Sequence, residues 1–516
     1  MKLMTPAQMR DLDEEAINKY NIPSILLMEH AAYNVFMDIK ARYSNHTIII
    51  VCGPGNNGGD GFALARQIKT WSDNKVKILM LSKPSGLSED GMVYYNICKK
   101  LNIEIIQIVS ENLELAYKAI RSAEVIVDAL FGTGLSRKVE GLYAEIIDQI
   151  NKSSAYTISI DIPSGIDGDT GKVKGIGVQA DKTITFALPK IGLYVYPAID
   201  YTGEIKIVDI GIPQSIIDRV ETGFYTIEKE DMKKLLPDRL TRSNKGTYGK
   251  VLVIGGQIGM SGAVALTSKA ALKVGAGIVT AAVPRAIHDI MEQKLTEVLT
   301  VPLEDNAGHI SRNADKQIRE LIEKYDVIAI GPGIGRSKDI ESILLIVLSS
   351  DKPCVIDADA LYFLKDMLEI VKRRKAPVII TPHPGEMARL TGLTIEAILD
   401  NPLATTYKFV KENNMITVLK IERTVVGDTE GNIYINRGGN SGMAKGGSGD
   451  ILTGTIAGLL AQKMIPKDAA RLGVYLHARS ADIMKTLKTE YTMIPSDLYE
   501  GLEIAFKEMI DSKETN

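Results

Sequence analysis

The chain has 516 residues, 45% of them apolar, and a formal charge of −3. That length exceeds what one core accommodates and predicts two or three domains of an ordinary soluble globular protein. The near balance of charge gives no footprint for nucleic acid or an anionic membrane, so the expected partners are small molecules or copies of the chain itself.

The opening M-K-L-M-T-P-A-Q-M-R-D-L-D-E-E has a helical charge pattern and lacks the apolar centre of a secretory signal. No run of about eighteen apolar residues is present to span a membrane. From Thr47 onward, short apolar runs alternate with helical patterns. The runs are 47–52, 76–81, 103–108, 124–129, 156–161 and 182–187, with helical stretches such as 61–72 and 112–122 between them. The runs are rich in Val and Ile and nearly continuous, which is how parallel strands buried on both faces read. They predict a doubly wound α/β domain.

The first strand leads into G-P-G-N-N-G-G-D-G (53–61). A glycine-rich turn from strand to helix is a phosphate or dinucleotide site in many folds, but this one is neither G-x-G-x-x-G nor a Walker loop. Side-chain oxygens of Asn56, Asn57 and Asp60 either cap the turn or hold a hydroxylated ligand or a hard cation. Asp128 closes the strand E-V-I-V-D-A and precedes L-F-G-T-G-L-S-R-K; Asp161 closes Y-T-I-S-I-D and precedes I-P-S-G. In open α/β sheets ligands bind beyond the carboxyl ends of strands, so these three ends are expected to meet in one crevice. Lys190, after the next strand, is either a solvated loop lysine or an ammonium for that crevice.

A polar stretch near 221–250 interrupts the pattern, and a domain boundary is placed near 220–235, dividing the chain into 1–220 and 221–516. A second α/β series follows at 251–256, 277–283, 327–331, 353–358, 377–381 and 416–420. It carries four glycine-rich turns: G-G-Q-I-G-M-S-G-A (255–263), G-P-G-I-G (331–335), T-P-H-P-G-E (381–386) and G-G-S-G-D (446–450). Four such turns imply a ligand with several phosphate or ribose groups approached closely by backbone. The last is the most informative, because Asp450 opens an apolar helix where a phosphate would sit, as a base beside a hydroxyl. His383, between two prolines and near Glu386, is either structural or a ligand contact.

Cys52, Cys98 and Cys354 lie far apart and read as buried thiols in a reducing compartment, the cytoplasm. No HExxH pattern or Cys/His spacing suggests a transition metal. A Mg²⁺ ion accompanying a nucleotide fits the carboxylates.

The N-N-G-G-D-G loop with D-I-P-S-G resembles the NAD(P)HX epimerase domain. The later S-x-K-G-x-x-G-x-V-L-V-I-G-G, G-P-G-x-G, T-P-H-P-G-E and G-x-G-D-x-L series resembles the ADP-dependent NAD(P)HX dehydratase. Their order resembles the bifunctional nicotinamide nucleotide repair enzymes, from L-M-E-H-A-A (27–32) to beyond Asp450. The resemblance implies a Rossmann-like domain followed by a ribokinase-like α/β domain. It further implies epimerisation of R- and S-NAD(P)HX, then dehydration of the S epimer to NAD(P)H with ADP giving AMP and phosphate.

Carried over residue by residue, the resemblance gives Asn56, Asn57, Gly58, Gly59 and Asp60 to the hydrated substrate, together with Gly132, Thr133, Gly134, Leu135, Ser136, Arg137, Lys138 and Asp161. Asn57, Asp128 and Ser164 would hold potassium, and Asp161 would be the main acid–base group; Lys190 is a candidate partner by its own place after the next strand, not by the resemblance. In the second domain Ala263, Gly335, His383 and Asp450 would meet NAD(P)HX. Lys420, Ile421, Glu422, Arg423, Thr424 and Gly449 would meet the adenine nucleotide. The expected partners are NADHX or NADPHX and ADP, with no nucleic acid and no membrane, in a cytoplasmic homo-oligomer.

Two positions depart from the family pattern: Asn244 stands for the His of S-H-K-G, and Ile421 for a Gly in the nucleotide segment. Ile lacks the conformational freedom of Gly, which bears on nucleotide preference. A ribokinase-like kinase acting on a stable alcohol shares G-x-G-D but leaves the N-N-G-G-D-G domain unexplained. A non-catalytic nucleotide sensor is opposed by intact Asp450, Asp161 and Asn57.

Overall fold

The computed structural model describes residues 1–514. The chain divides into two compact units, Lys2–Phe224 and the residues from Tyr225 onward with Met1.

The first unit is built on a seven-stranded sheet whose strands run in the order Glu104–Gln107, Lys75–Met80, Thr47–Cys52, Val125–Ala129, Tyr156–Ile160, Lys182–Phe186 and Glu204–Val208. Every pairing is parallel. The middle strands are buried along nearly their whole length, as their unbroken Val/Ile runs predict. From Thr47–Cys52 the chain winds first to one side and then, at Val125–Ala129, to the other. The carboxyl ends of these two neighbours form the switch point, where doubly wound sheets leave a crevice.

The segment after the first sheet strand corrects one boundary. The helix starts at Asn56, not at residue 61, and runs to Trp71. Gly58, Gly59 and Gly61 therefore lie inside the helix. A Cβ on Gly58 would stand 2.0 Å from the Gly53 carbonyl oxygen, and one on Gly61 would stand 2.7 Å from the Cys52 sulfur. These glycines let the helix press against its own strand, a packing role that the loop reading misses.

The second unit holds a larger sheet. Its pairings run Ile433–Asn436, Val425–Gly427, Ile416–Leu419, Val378–Ile380, Cys354–Ile356, Val327–Ile330, Lys250–Ile254, Ile278–Pro284 and Leu299–Leu303. The two pairings that involve Val425–Gly427 are antiparallel, and the rest are parallel. Lys250–Ile254 and Val327–Ile330 form this sheet's switch point, and the 255–263 and 331–335 turns leave their ends. Those turns are tied together, Gly256 N donating to the Pro332 carbonyl at 2.9 Å.

Helices Ser261–Lys273 and Ser448–Ala461 cross beneath these turns. They approach so closely that a Cβ on Gly454 would fall 2.0 Å from the Thr267 carbonyl oxygen. The apolar side chains of both helices join the main core cluster of this unit. Both units are thus α/β layers, the first on an all-parallel sheet and the second on a mainly parallel one.

Candidate functional site

In the first unit the switch-point crevice brings together Asn57, Asp128, Gly132 and Ser164. Asp128 is fully buried at its strand end. One carboxylate oxygen accepts from Ser164 Oγ at 2.6 Å and Leu130 N at 3.2 Å; the other accepts from Ser159 Oγ and Ser164 N, both at 2.8 Å. Burial raises its pKa and these hydrogen bonds lower it, with burial prevailing. No cationic side chain among the described residues bridges to it. Asn57 is buried next to Gly132, and its amide Nδ2, a donor, has no hydrogen-bond partner. A Cβ on Gly132 would stand 3.5 Å from the Asn57 amide carbon, so this glycine leaves the amide open to the crevice. A buried carboxylate without a cationic partner, with the Ser164 hydroxyl on it, fits a bound cation; the Asn57 amide would join such a set only through its oxygen.

A second group lies at the next strand ends. Asp161 has φ +67°, a left-handed turn that ends its strand. Its carboxylate meets the ammonium of Lys190, which is 1% exposed. Lys190 Nζ also donates to Thr185 Oγ1 at 3.2 Å, and Thr185 Oγ1 donates to Asp161 at the same distance. Lys190 is therefore a buried ion-pair member and not a solvated loop lysine. Two further carboxyls face this pair. Asp60 is buried in the helix Asn56–Trp71, and its pKa is pushed well up by burial first and then by Asp161 and Asp13. Asp13, on the helix Pro6–Tyr20, is raised to about 6 by burial, with Asp161 adding to the rise and Lys190 opposing it. Asn56 and the loop Gly132–Lys138 lie at the mouth, where Asn56, Gly134, Ser136, Arg137 and Lys138 are exposed.

In the second unit the centre is Asp357, which ends the strand Cys354–Ile356 and is buried. Lys420 Nζ donates to its Oδ1 at 2.7 Å, and Thr453 Oγ1 donates to its Oδ2 at 2.6 Å. Asp450, in the first turn of Ser448–Ala461, is raised to about 6 by burial and by the Asp357 charge, against the pull of Lys420. Gly447, the residue before this helix, has φ +103°, and a Cβ on Gly449 would stand 3.3 Å from Lys420 Nζ. The glycines of G-G-S-G-D thus do two jobs: one makes the turn, and the other leaves room for an ammonium.

Thr267 Oγ1 donates to the carbonyls of Asp450 at 3.0 Å and Ala263 at 3.1 Å, linking the first glycine turn to this helix. Gly335 has φ +80° and packs on Gln257 of that same turn.

His383 caps its helix. Its Nδ1 accepts from Gly385 N at 3.0 Å, and its own N–H donates to Glu386 Oε2 at 2.8 Å. Burial and the Lys420 charge lower its pKa. Glu386 is raised to about 7 by burial. His383 is therefore a neutral cap beside the Asp357–Lys420 pair, with its other ring nitrogen turned toward Glu386 at 3.4 Å.

Ile421, Glu422, Arg423 and Thr424 lie on the link from Ile416–Leu419 to Val425–Gly427. Ile421 is not among the positive-φ residues, so it stands in place of glycine without backbone strain. Arg423 lines a separate cavity of about 330 Å³ with Asn436, Arg437 and Arg479. Asn244 caps a short turn by accepting from Gly246 N at 2.9 Å.

Asp357, Thr453, Thr185 and Asp13 are the functional candidates that the sequence reading passes over. Asp357 carries the same signal as Asp128 and Asp161, a carboxylate ending a buried strand. Asp13 carries no such signal. Among the described residues no cluster of three His, Cys, Asp or Glu is set to hold a metal, and no helix is long and apolar enough to cross a membrane.

Comparison with known proteins matches both units. Residues 251–503 match the family model described as NAD(P)H-hydrate dehydratase, and residues 24–192 match the model described as YjeF-related protein N-terminus. A bifunctional NAD(P)H-hydrate repair enzyme of Moorella thermoacetica is 39% identical over 100% of this chain and 98% of its own length. The protein of the same description from Escherichia coli is 32% identical, covering 95% of this chain and 91% of its own. A solved structure titled ADP/ATP-dependent NAD(P)H-hydrate dehydratase from Bacillus subtilis, co-crystallised with ATP and Mg²⁺, is 30% identical. It covers 55% of this chain and 98% of its own, with a TM-score of 0.49.

Proposed function

This chain belongs to the bifunctional NAD(P)H-hydrate repair enzymes, and from that membership we propose how its two sites divide one repair. The chain restores NAD(P)H from NAD(P)HX by an epimerase activity and a dehydratase activity. The observation that carries the division is that its proton-handling groups fall into two clusters, one in each unit: Asp161 with Lys190, and Asp450 with Asp357 and Lys420.

A dihydronicotinamide ring is an enamine. Protonation of its β-carbon and addition of water place a hydroxyl on the carbon next to the ring nitrogen, giving two epimers. To invert that centre, the C–N bond opens as the hydroxyl gives up its proton, and the ring recloses on the other face. In the first unit Asp161 takes the hydroxyl proton and Lys190 gives one to the ring nitrogen; the roles reverse on closure. Asn56, Asn57, Gly58, Gly59, Asp60 and the loop Gly132–Lys138 line this site for the dinucleotide. Potassium, held by Asn57, Asp128 and Ser164, would offset the buried Asp128 charge and order the crevice. Asn57 would contribute its carboxamide oxygen to that set, since its Nδ2 is a donor and cannot hold a cation.

In the second unit Asp450 takes the proton from the hydroxyl of the S epimer. The oxygen attacks the terminal phosphoryl group of ADP, and AMP departs. Phosphate then leaves the ring carbon, the nitrogen lone pair forms the iminium, and loss of the neighbouring C–H proton restores the dihydropyridine. The raised pKa of Asp450 suits a base working near neutral pH. Lys420, fixed by Asp357, faces the phosphates, and the helix start at Ser448–Asp450 adds backbone N–H groups. Ala263, Gly335 and His383 border the nicotinamide side, and Ile421 to Thr424 with Gly449 border the nucleotide. Mg²⁺ would travel with the phosphates, where one carboxylate and waters complete its shell. The three buried thiols suit a reducing cytoplasm, and assembly as a homo-oligomer is part of the same proposal.

The test uses separated epimers of hydrated NADH. The full chain with ADP should restore reduced-nicotinamide absorbance from the S epimer and release AMP and phosphate in equal amounts. Phosphate retained on an alcohol, with no absorbance recovery, would favour a small-molecule kinase instead. Omitting potassium should slow only the consumption of the R epimer.

A further inference from the structure

The helix Pro466–Leu487 lies against Ser448–Ala461, the helix that Asp450 opens. The two approach so closely that a Cβ on Gly473 would stand 2.6 Å from Ile456 Cγ1. One turn on, and so on the same face, comes His477, which is 7% exposed. Its Nε2 lies 2.9 Å from the Ser448 carbonyl oxygen and 3.4 Å from the Ser448 hydroxyl. A carbonyl oxygen only accepts, so Nε2 carries the ring hydrogen and donates it to Ser448. Burial lowers the pKa of His477 to about 4 over the opposing pull of the Ser448 bond, with the Lys420 charge adding to the fall. The ring is therefore a neutral donor near neutral pH.

Ser448 is the first residue of its helix, and the peptide whose carbonyl His477 holds is the one whose N–H belongs to Gly449. Ile451 N turns back on the Gly447 carbonyl at 3.3 Å, but among the described residues Gly449 N and Asp450 N meet no acceptor. They are the orphan donors of a helix start. A hydrogen bond on a peptide oxygen draws charge along the amide and makes the N–H of the same peptide a stronger donor. It also fixes the plane of that peptide, and with it the direction in which Gly449 N–H points.

Resting on the dehydratase reading above, which puts the nucleotide phosphates at Gly449 and Lys420, we infer that His477 is a positioning residue of that site: through the Ser448 carbonyl it aims and strengthens the Gly449 N–H that meets the charge on the transferring phosphoryl group. No proton moves. His477 touches neither substrate nor nucleotide, and it keeps its hydrogen throughout. The benefit grows with the charge on the phosphoryl oxygens, so it lowers the barrier more than it tightens ADP.

The test uses the full chain with ADP and the separated S epimer of hydrated NADH. His477→Leu fills the buried space and cannot donate. His477→Asn can donate, but from a side chain too short to reach Ser448. His477→Gln places an N–H near the position of the ring Nε2. His477→Leu and His477→Asn should each lower the dehydratase kcat about 10-fold with the KM for ADP little changed, a smaller effect than loss of a whole oxyanion donor. His477→Gln should recover most of that loss. Epimer exchange, followed by chromatography, should be parental in all three.

Amide NMR of the chain labelled with ¹⁵N-glycine reads the same bond without turnover. The Gly449 proton, identified by its loss in Gly449→Ala, should move upfield in His477→Leu and return in His477→Gln. A parental kcat in both His477→Leu and His477→Asn would overturn the inference. So would a kcat loss in His477→Gln equal to that in His477→Leu, or a Gly449 resonance indifferent to His477. Should His477→Leu fail to fold, His477→Asn against His477→Gln makes the same comparison. If ADP leaves the Gly449 resonance unmoved in a parent chain that does dehydrate the S epimer, the placing of the nucleotide at Gly449 fails, and the inference with it. If the parent chain with ADP restores no reduced nicotinamide at all, the dehydratase reading itself fails.

Discussion

Thr453 holds one oxygen of Asp357 at 2.6 Å while Lys420 holds the other at 2.7 Å, so the carboxylate is shared between the helix that Asp450 opens and the strand end that carries the lysine. Asp357→Asn leaves that geometry but removes the charge opposing Lys420. Lys420 then binds phosphate without a competitor and is less well placed. The expected outcome is a dehydratase kcat lower by about 10–10²-fold with little loss of nucleotide affinity. Steady-state kinetics with varied ADP check it, and a KM rise with unchanged kcat would contradict it.

Asp450→Asn should reduce dehydration by about 10²–10⁴-fold while epimer exchange, followed by chromatography, continues. In the parent chain dehydration should fall as pH drops through about 6, because the base must be ionised. The stability effect has the opposite sign. A carboxyl whose folded pKa lies above its unfolded value stabilises fully below the unfolded value, and that contribution is lost as pH rises through about 6. The Asn variant should therefore melt higher than the parent at pH 8, by on the order of 1–3 kcal/mol, and level with it near pH 4. Thermal scans at the two pH values decide it.

Lys190 and Asp161 form a buried pair, so removing one partner costs more than removing both. Lys190→Met alone should destabilise by about 3–5 kcal/mol, and Asp161→Asn with Lys190→Met should recover part of that. Denaturant melts of the four proteins form the cycle. Additive losses would mean that the pair is not coupled.

Gly331 has φ +123°, and a Cβ there would stand 1.8 Å from the Asp357 carbonyl oxygen. Gly331→Ala combines left-handed strain with a backbone clash, so a loss of about 2–4 kcal/mol and impaired dehydration are expected. Gly86→Ala, whose Cβ meets only Ser82 at 3.9 Å, should be close to neutral. Equal melting of the two variants would refute the steric account.

Much of this was legible because parallel strands announce themselves as continuous Val and Ile runs, and because doubly wound sheets gather their chemistry at strand ends. Asp128 and Asp161 follow from that logic, and Asp357 follows from it too, although its strand Cys354–Ile356 is short enough that only the apolar run stands out. The antiparallel pair Val425–Gly427 and Ile433–Asn436 is too brief to give a period. The glycines of N-N-G-G-D-G do signal close backbone approach. What sequence spacing does not reveal is that the approach occurs inside a helix. Asp13 was beyond reach for a different reason: an acidic residue on an amphipathic helix is usually solvated, and nothing in the spacing reveals that the chain just before this helix pairs with the segment at Lys190, Met4 bridging to it.

That pairing also bears on how the protein is made. The segment at Met4 leaves the ribosome long before the Pro189–Ile191 segment it must bridge, which is synthesised near the end of the first unit. Closing so long a stretch of chain is a slow, entropically costly event. The early strands can assemble while the first helix waits, and the epimerase pocket gains its last wall only when residue 191 has emerged. A nascent chain arrested before that point would carry a largely formed sheet and an unfinished catalytic centre.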